Sequence, residues 1–252
     1  MKSKRLLTPR FLITVGDYMM SEGITVECVS SKASGSDWCK LMLPAQLKGV
    51  IKFDNLAPAT VELGYDDDYN SLIYGYASLT NADYWKEILI RDDMIYLERE
   101  KVRATFIDCT PQDVIKYVLS LADITDFMLD ETVYSKKKVF SVDAKNGIQV
   151  LKEVNAAWNI DNAFFFQERV FYWGRKQDQE VMYVLEEQNN ILSVNKYGEL
   201  WEVETLGIPW IHHSQQIEVI HSKYTGIVEV YKTIIKSDES GFVRMFIYFQ
   251  EG

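Results

Sequence analysis

Apolar residues along this chain recur at two different spacings, and the spacing changes twice. In the N-terminal stretch they alternate with polar neighbours over short runs, the period of a half-buried strand. Phe11-Leu12-Ile13-Thr14-Val15 ends on the turn pair Gly16-Asp17. Ile24, Val26 and Cys28 alternate with Thr25, Glu27 and Val29, and Ser30 to Asp37 is a small-residue loop before Trp38-Cys39-Lys40-Leu41-Met42-Leu43. Val61-Glu62-Leu63-Gly64-Tyr65, the acidic turn Asp66-Asp67-Asp68 and Leu72-Ile73-Tyr74-Gly75-Tyr76-Ala77 follow. Ile88-Leu89-Ile90, Met94-Ile95-Tyr96-Leu97 and Arg99 to Phe106 add further strands, whereas Asn81 to Glu87 fits neither period. Short β-branched and aromatic runs spaced by turns predict a sandwich or barrel.

The period then lengthens to that of a helix. Thr110 suits an N-cap, Pro111 the first helical position and Asp113 the positive end of the helix dipole. Val114, Val118 and Leu121, with Ile115, Leu119 and Ala122, form one broad apolar face. Lys136-Lys137-Lys138 leads into a strand at Val139-Phe140-Ser141-Val142. Asp143 or Asn146 caps a second helix carrying Ile148, Leu151, Val154 and Trp158. Phe164-Phe165-Phe166, a turn at Gln167-Glu168-Arg169 and Val170-Phe171-Tyr172-Trp173 read as a hairpin. These apolar helix faces are core, not a cofactor box.

From Arg175 the pattern is all-β again. Trp201 to Leu206, Gln216 to His221, Ile227 to Ile235 and Phe242 to Phe249 are its strongest strands, the last two joined through Ser237-Asp238-Glu239-Ser240-Gly241. Phe242, Arg244, Phe246 and Tyr248 alternate against Val243, Met245, Ile247 and Phe249. Both faces of that strand are therefore apolar or aromatic, which predicts cover by another layer or another subunit. The whole reads as an α+β, mostly β chain. Two tube-like β-barrel or sandwich modules, 1–104 and 176–252, flank a small α/β module at 105–175.

The chain has 252 residues, 47% of them hydrophobic and 13% aromatic, which supplies packed cores and excludes a disordered composition. No run approaches the roughly 20 apolar residues of a membrane span. Pro9 and Arg10 break the apolar stretch after Met1-Lys2-Ser3-Lys4-Arg5-Leu6-Leu7, and no small-residue cleavage site follows Val15, so a soluble protein made inside the cell is expected. The net charge of −10 argues against a duplex-DNA binder that neutralises phosphates. Residues 1–104 carry 13 basic and 15 acidic side chains, and residues 105–252 carry 14 and 22, so the acidity sits in the later stretch.

Candidate chemistry is sparse. Cys28, Cys39 and Cys109 lack C-x-x-C spacing and are expected as reduced thiols in or near cores. Asp66, Asp68 and Asn70 match the first ligands of an EF-hand loop, but Ser71 replaces its glycine and Ala77 its final glutamate. An acidic hairpin turn is the better reading. Adjacent His212 and His213 on a strand would point to opposite faces, and His221 has no Glu-x-x-His companion, so no metal site is expected. The chain shows no G-x-S-x-G elbow, P-loop or G-x-G-x-x-G fingerprint, and its many carboxylates single out no pair. Lys136-Lys137-Lys138 is a solvated basic loop. We therefore expect no catalytic, cofactor-binding or metal-binding residues and no enzyme.

The order of these blocks resembles a family. Trp38-Cys39-Lys40-Leu41-Met42-Leu43, Val61-Glu62-Leu63-Gly64-Tyr65 and Ile73-Tyr74-Gly75-Tyr76 are similar to the first barrel of phage tail hub proteins. These are the late control protein D-like baseplate hubs of contractile tails, prophages and phage-tail-like bacteriocins. Thr110 to Ile115 through Leu121-Ala122-Asp123-Ile124-Thr125, then Ser141-Val142-Asp143, the helix from Gly147 to Trp158 and the hairpin ending at Trp173-Gly174, resemble its α/β segment. Gly207-Ile208-Pro209 to Val219, Gly226 to Ile235 and Phe242 to Phe249 resemble its second barrel. Each string is common alone, and their order and spacing carry the likeness over nearly the whole chain. Many relatives add an extended C-terminal region, sometimes a spike or a peptidoglycan hydrolase, and no such region is expected here.

The resemblance implies a structural hub, a homotrimer whose six barrels match a six-fold tail tube above and a three-fold spike below. Its partners would be the tail tube or tube-initiator protein, the central spike, the baseplate wedge proteins and the tape measure protein. DNA would pass through it transiently in an infectious phage. It would be found in the tail or baseplate of a virion or bacteriocin particle, synthesised in the bacterial cytoplasm. Beyond the resemblance, we expect acidic residues of the barrels to line the lumen and keep passing DNA from sticking. The duplication of the barrel comes from the family, since residues 1–104 and 176–252 show no repeat. Two rivals differ in what they predict. A peripheral baseplate module binding receptor or carbohydrate would have glycan affinity, and a cell-wall hydrolase would lose activity on mutation of one acidic pair.

Overall fold

The computed structural model of the chain describes residues 8–33, 35–47, 50–66, 68–79, 87–238 and 240–251. The N-terminal Met1 to Leu7, most of Asn81 to Glu87, Asp67 of the acidic turn and Glu239 of the last loop lie outside the described residues. Residues 93–177 form one compact unit, and the residues before and after them together form another. Among the described residues no helix is long and apolar enough to cross a membrane.

The N-terminal strands are β1 (Arg10–Val15), β2 (Tyr18–Met20), β3 (Thr25–Ser31), β4 (Trp38–Met42), β5 (Ala57–Tyr65), β6 (Asp68–Leu79) and β7 (Glu87–Arg91). The unit at 93–177 holds α1 (Met94–Arg99), β8 (Val102–Cys109), α2 (Pro111–Leu121), β9 (Phe127–Leu129), β10 (Lys137–Ala144), α3 (Gly147–Trp158), β11 (Phe164–Gln167) and β12 (Val170–Trp173). The C-terminal strands are β13 (Tyr183–Glu186), β14 (Ile191–Tyr197), β15 (Leu200–Leu206), β16 (Gln216–His221), β17 (Tyr224–Glu229), β18 (Lys232–Ser237) and β19 (Val243–Gln250). The chain is mostly β, and among the described residues it has several sheets, none of them closed.

Eleven strands form one antiparallel sheet in the order β14-β15-β19-β18-β3-β4-β7-β6-β5-β1-β2. The two β-rich stretches of the sequence thus share a single sheet, and one hydrophobic core runs from Ile13 and Val61 to Val203 and Ile247. The alternation read from the sequence sets which side is buried. On β19, Val243, Met245, Ile247 and Phe249 face that core while Arg244, Phe246 and Tyr248 face away. A separate three-stranded sheet, β13-β16-β17, packs side chains such as Ile217 and Val219 into the same core.

The other unit has its own core. Helices α2 and α3 lie on the antiparallel ribbon β8–β10, and β9 runs parallel to β12 beside the β11–β12 hairpin. Val114, Val118, Leu151, Val154, Phe171 and Trp173 fill the space between them. Helix α2 opens with a capping box: Asp113 donates its backbone N–H to the Thr110 hydroxyl and accepts from the Thr110 backbone N–H. Asn146 caps α3 through its side chain, which accepts from Gln149 N at 2.9 Å. Glu168 and Arg169 both have positive φ, the requirement of a two-residue turn that matches strand twist.

Four expectations need correction. Met94 to Leu97 is helical in α1, because Met94 and Leu97 lie one helical turn apart and both drop into the second core. Ile227 to Ile235 is two strands. At Val230-Tyr231 the chain leaves the small sheet for the large one, with Val230 N donating to Gln215 O and Tyr231 N to Tyr248 O. His212 and His213 lie in the connection between β15 and β16, not on a strand. Cys28 and Cys39 are joined in a disulfide because β3 and β4 place them directly opposite, with Cα atoms 4.1 Å apart, while Cys109 is free and buried as expected.

Candidate assembly surfaces of the sheet

The large sheet is continuous because β18 pairs with β3, and this seam joins the strands from the two ends of the chain. Its register places Ile235 opposite Cys28 in the core row and Lys236 opposite Glu27 on the other face. There Lys236 Nζ meets Glu27 Oε1 at 2.9 Å. Val26 N donates to Ser237 Oγ at 2.9 Å. Farther along, the buried Tyr65 hydroxyl donates to Gly207 O at 2.5 Å, and burial pushes its pKa up to about 12. Gly207 leaves room for that contact: a Cβ there would stand 2.6 Å from Val243 Cγ1 and 2.9 Å from Leu63 Cδ2. The Leu63-Gly64-Tyr65 and Gly207-Ile208-Pro209 strings singled out in the sequence therefore meet.

A polar cluster closes one end of the seam. Ser31 N donates to Asp37 Oδ1 at 2.9 Å, Asp37 N to Asp92 Oδ2 at 2.8 Å, and Ser36 Oγ to Asp92 Oδ1 at 2.8 Å. His213 Nε2 stands 3.8 Å from Asp37 Oδ1, its Nδ1 lies 2.9 Å from Ser214 Oγ, and Lys32 pairs with Glu229 at 2.9 Å. Serine, histidine and aspartate here have the types of a nucleophilic triad. Yet His213 is 2% and Ser214 8% exposed, so a substrate has no approach. The cluster fastens the seam: Ser214 N donates to Val230 O and Lys32 N to Tyr231 O. Sequence reasoning missed it because its members are scattered. The available signal was a carboxylate set against apolar strands, as at Asp37-Trp38 and Ile90-Arg91-Asp92.

Burial raises the Asp37 pKa well above its usual value and Asp92 adds to this, against hydrogen bonds from Ser31 N–H and the Ser30 side chain. Burial holds His213 down at about 3, reinforced by His212 and Lys32 and opposed by Glu229, and burial holds His212 at about 4. A histidine kept neutral in the fold contributes its full stability above its unfolded pKa near 6.5. It loses that contribution as pH falls towards the folded value. Asp37, raised, has the opposite sign and loses stability as pH rises. Between pH 6.5 and pH 5 the His213 term should cost about 2 kcal/mol. Urea unfolding at pH 7 and pH 5 checks this: His213→Gln should shrink the drop by that amount, and an unchanged drop would refute it.

The face of the large sheet turned away from the core is organised in rows. Glu204, Phe246, Ile234, Val29, Trp38, Arg91 and Tyr76 succeed one another across seven strands by register. Beside that row run Arg244, Lys236, Glu27 and Lys40. Arg244 pairs with Glu204 at 3.5 Å, and Lys40 with Glu87 at 2.5 Å. The Tyr248 hydroxyl donates to Glu202 at 2.6 Å, and Lys232 lies 5.7 Å from the Tyr248 ring centre. The aromatic residues on this face of β19 are thus half-buried by their neighbours. Acids and bases interleave, so this surface is charge-alternating and not acidic.

Among the described residues β14 and β2 are the outermost strands of the sheet, β14 carrying one isolated parallel bridge from Ile191 to Glu187 besides its pairing with β15, and Leu192, Tyr197 and Met19 on them are exposed. In the other unit, Ile107 and Val139 oppose each other on the uncovered side of the β8–β10 ribbon, both exposed. Lys137 of the basic run begins β10 and sits 5.2 Å from the Trp158 ring centre. Among the described residues no group of three or more His, Cys, Asp or Glu side chains is placed to hold a metal ion.

The sequence matches no family model and no curated protein. The fold matches solved structures over nearly all of its length. A 43 kDa tail protein of prophage MuSo2 from Shewanella oneidensis superposes with a TM-score of 0.74 at 12% identity, covering 96% of this chain and 98% of that one. A tail protein from Neisseria meningitidis MC58 gives 0.70 at 9% identity, over 97% of each chain. An Escherichia coli component of the type VI secretion system, described as structurally similar to the bacteriophage T4 tail proteins gp27 and gp5, gives 0.70 at 9% identity over 95% of this chain and 76% of that one. The chain therefore has the fold of these tail and secretion-system proteins.

Proposed function

We propose that this chain is a structural subunit of a phage-type tail or baseplate, and specifically a hub. In this reading it is a homotrimer that adapts a six-fold tail tube to a three-fold central spike. The observation that carries the reading is the end-to-end fold match to the two tail proteins, 96% and 97% of this chain. The outermost positions of β14 and β2 among the described residues support it, because head-to-tail contacts between unlike edges of identical chains close into rings.

In this reading the stretches 1–104 and 176–252 serve as the two tube-like modules, with 105–175 between them. The tube or its initiator would bind on one side and the spike on the other, with wedge proteins around and the tape measure protein within. If the charge-alternating face lines the passage, the wall neither holds nor repels a polyanion strongly, unlike the acidic lining expected from the sequence. The test is placement. In tails assembled with a tagged chain, electron microscopy should find the tag on the tail axis at the tube–spike junction. A tag at the baseplate rim, together with glycan binding by the purified chain, would favour the receptor-binding module instead.

A further inference from the structure

Cys28 and Cys39 lie in the core row of the large sheet, 7% and 0% exposed. In that row Cys28 faces Ile235 of β18 and Cys39 faces Ile90 of β7. Strand β3, which carries Cys28, is the N-terminal partner in the seam, so the bond ties the seam strand to its neighbour. The third cysteine, Cys109, is buried in the other unit and has no thiol partner.

We propose that the Cys28–Cys39 pair is a redox latch on the seam. Closing the bond holds β3 against β4 so that the β18–β3 pairing opens less often. The latch would operate whether or not the chain serves in a tail. Closure is a thiol–disulfide exchange with a low-molecular-weight disulfide. One protein thiolate attacks it, giving a mixed disulfide and releasing one small thiol. The second protein thiolate then attacks the protein sulfur of the mixed disulfide and releases the other. Two protein thiols are oxidised, one small disulfide is reduced to two thiols, and the two cysteine protons end on those thiols. A mixed disulfide has no room between Ile235 and Ile90, so exchange waits for local opening of the strands. The redox state present when the sheet forms is therefore retained until it opens.

The experiment uses the full chain, prepared once in oxidised glutathione and once in dithiothreitol. After denaturation and alkylation, intact mass should show one alkylated cysteine in the first preparation and three in the second. Amide exchange in β3 and β18 should be about tenfold slower in the oxidised protein, and its Tm higher by about 6 °C. Cys109→Ala should keep both differences and Cys28→Ala/Cys39→Ala should abolish them. If the double variant fails to fold, the wild type still decides. Three alkylated cysteines after glutathione treatment, or equal seam exchange in the two forms, overturns the proposal.

Discussion

Gly75→Ala should destabilise the large sheet by about 3 kcal/mol, a large share of the 5–15 kcal/mol that holds a typical domain together. A Cβ at this position would stand 2.0 Å from Arg91 O and 2.6 Å from its carbonyl carbon. Both atoms are backbone of β7, which pairs with β6 through Tyr76 and Arg91, so no side chain can swing aside to relieve the clash. The only relief is for β6 and β7, both interior strands, to move apart. Gly198 is the control: its φ is +65° but nothing lies within 4 Å of its added Cβ. Gly198→Ala should cost only about 1 kcal/mol, the strain of a left-handed alanine. Urea unfolding of both variants measures the contrast, and equal losses would show that close approach is not what Gly75 serves.

Trp173→Ala should cost the unit at 93–177 about 4 kcal/mol, in the usual range for emptying a large aromatic site. Trp173 is fully buried, and its Nε1 donates to Asn155 Oδ1 at 2.9 Å. Asn155 in turn donates to Asn162 O at 2.7 Å, so the substitution opens a cavity and leaves a half-buried acceptor without its donor. Because this unit has a core separate from that of the large sheet, the damage should be local. Hydrogen exchange should speed up across α2, α3 and the β11–β12 hairpin while the β18–β3 amides keep their protection. Equal acceleration in both units would contradict two separate cores.

What the sequence made legible was local. The Thr110 cap with Pro111 and Asp113, the Asn146 cap, the Glu168-Arg169 turn and the β18–β19 hairpin all depend on residues within a few positions of one another. What it hid was long-range. Nothing in either β stretch announces that β18 will pair with β3, and alternation reads the same in one shared sheet as in two. Met94 to Leu97 is too short an apolar run for its period to choose between strand and helix. The break at Val230-Tyr231 is made by partners in distant segments, not by a glycine or proline. The cystine was nearer to hand. A hairpin whose loop runs from Ser30 to Asp37 brings Cys28 close to Cys39, but spacing alone carried no register. The Gly64, Gly75 and Gly207 strings carried the family resemblance as text. At Gly75 and Gly207 the reason is tertiary contact, with the Arg91 backbone and with Leu63 and Val243.

Whether the chain works as the proposed trimeric hub is decided by native mass spectrometry of the purified chain alone and of the chain co-expressed with the spike protein of the same particle. A trimer, or a three-to-three complex with the spike, is expected. A monomer in both preparations would contradict it.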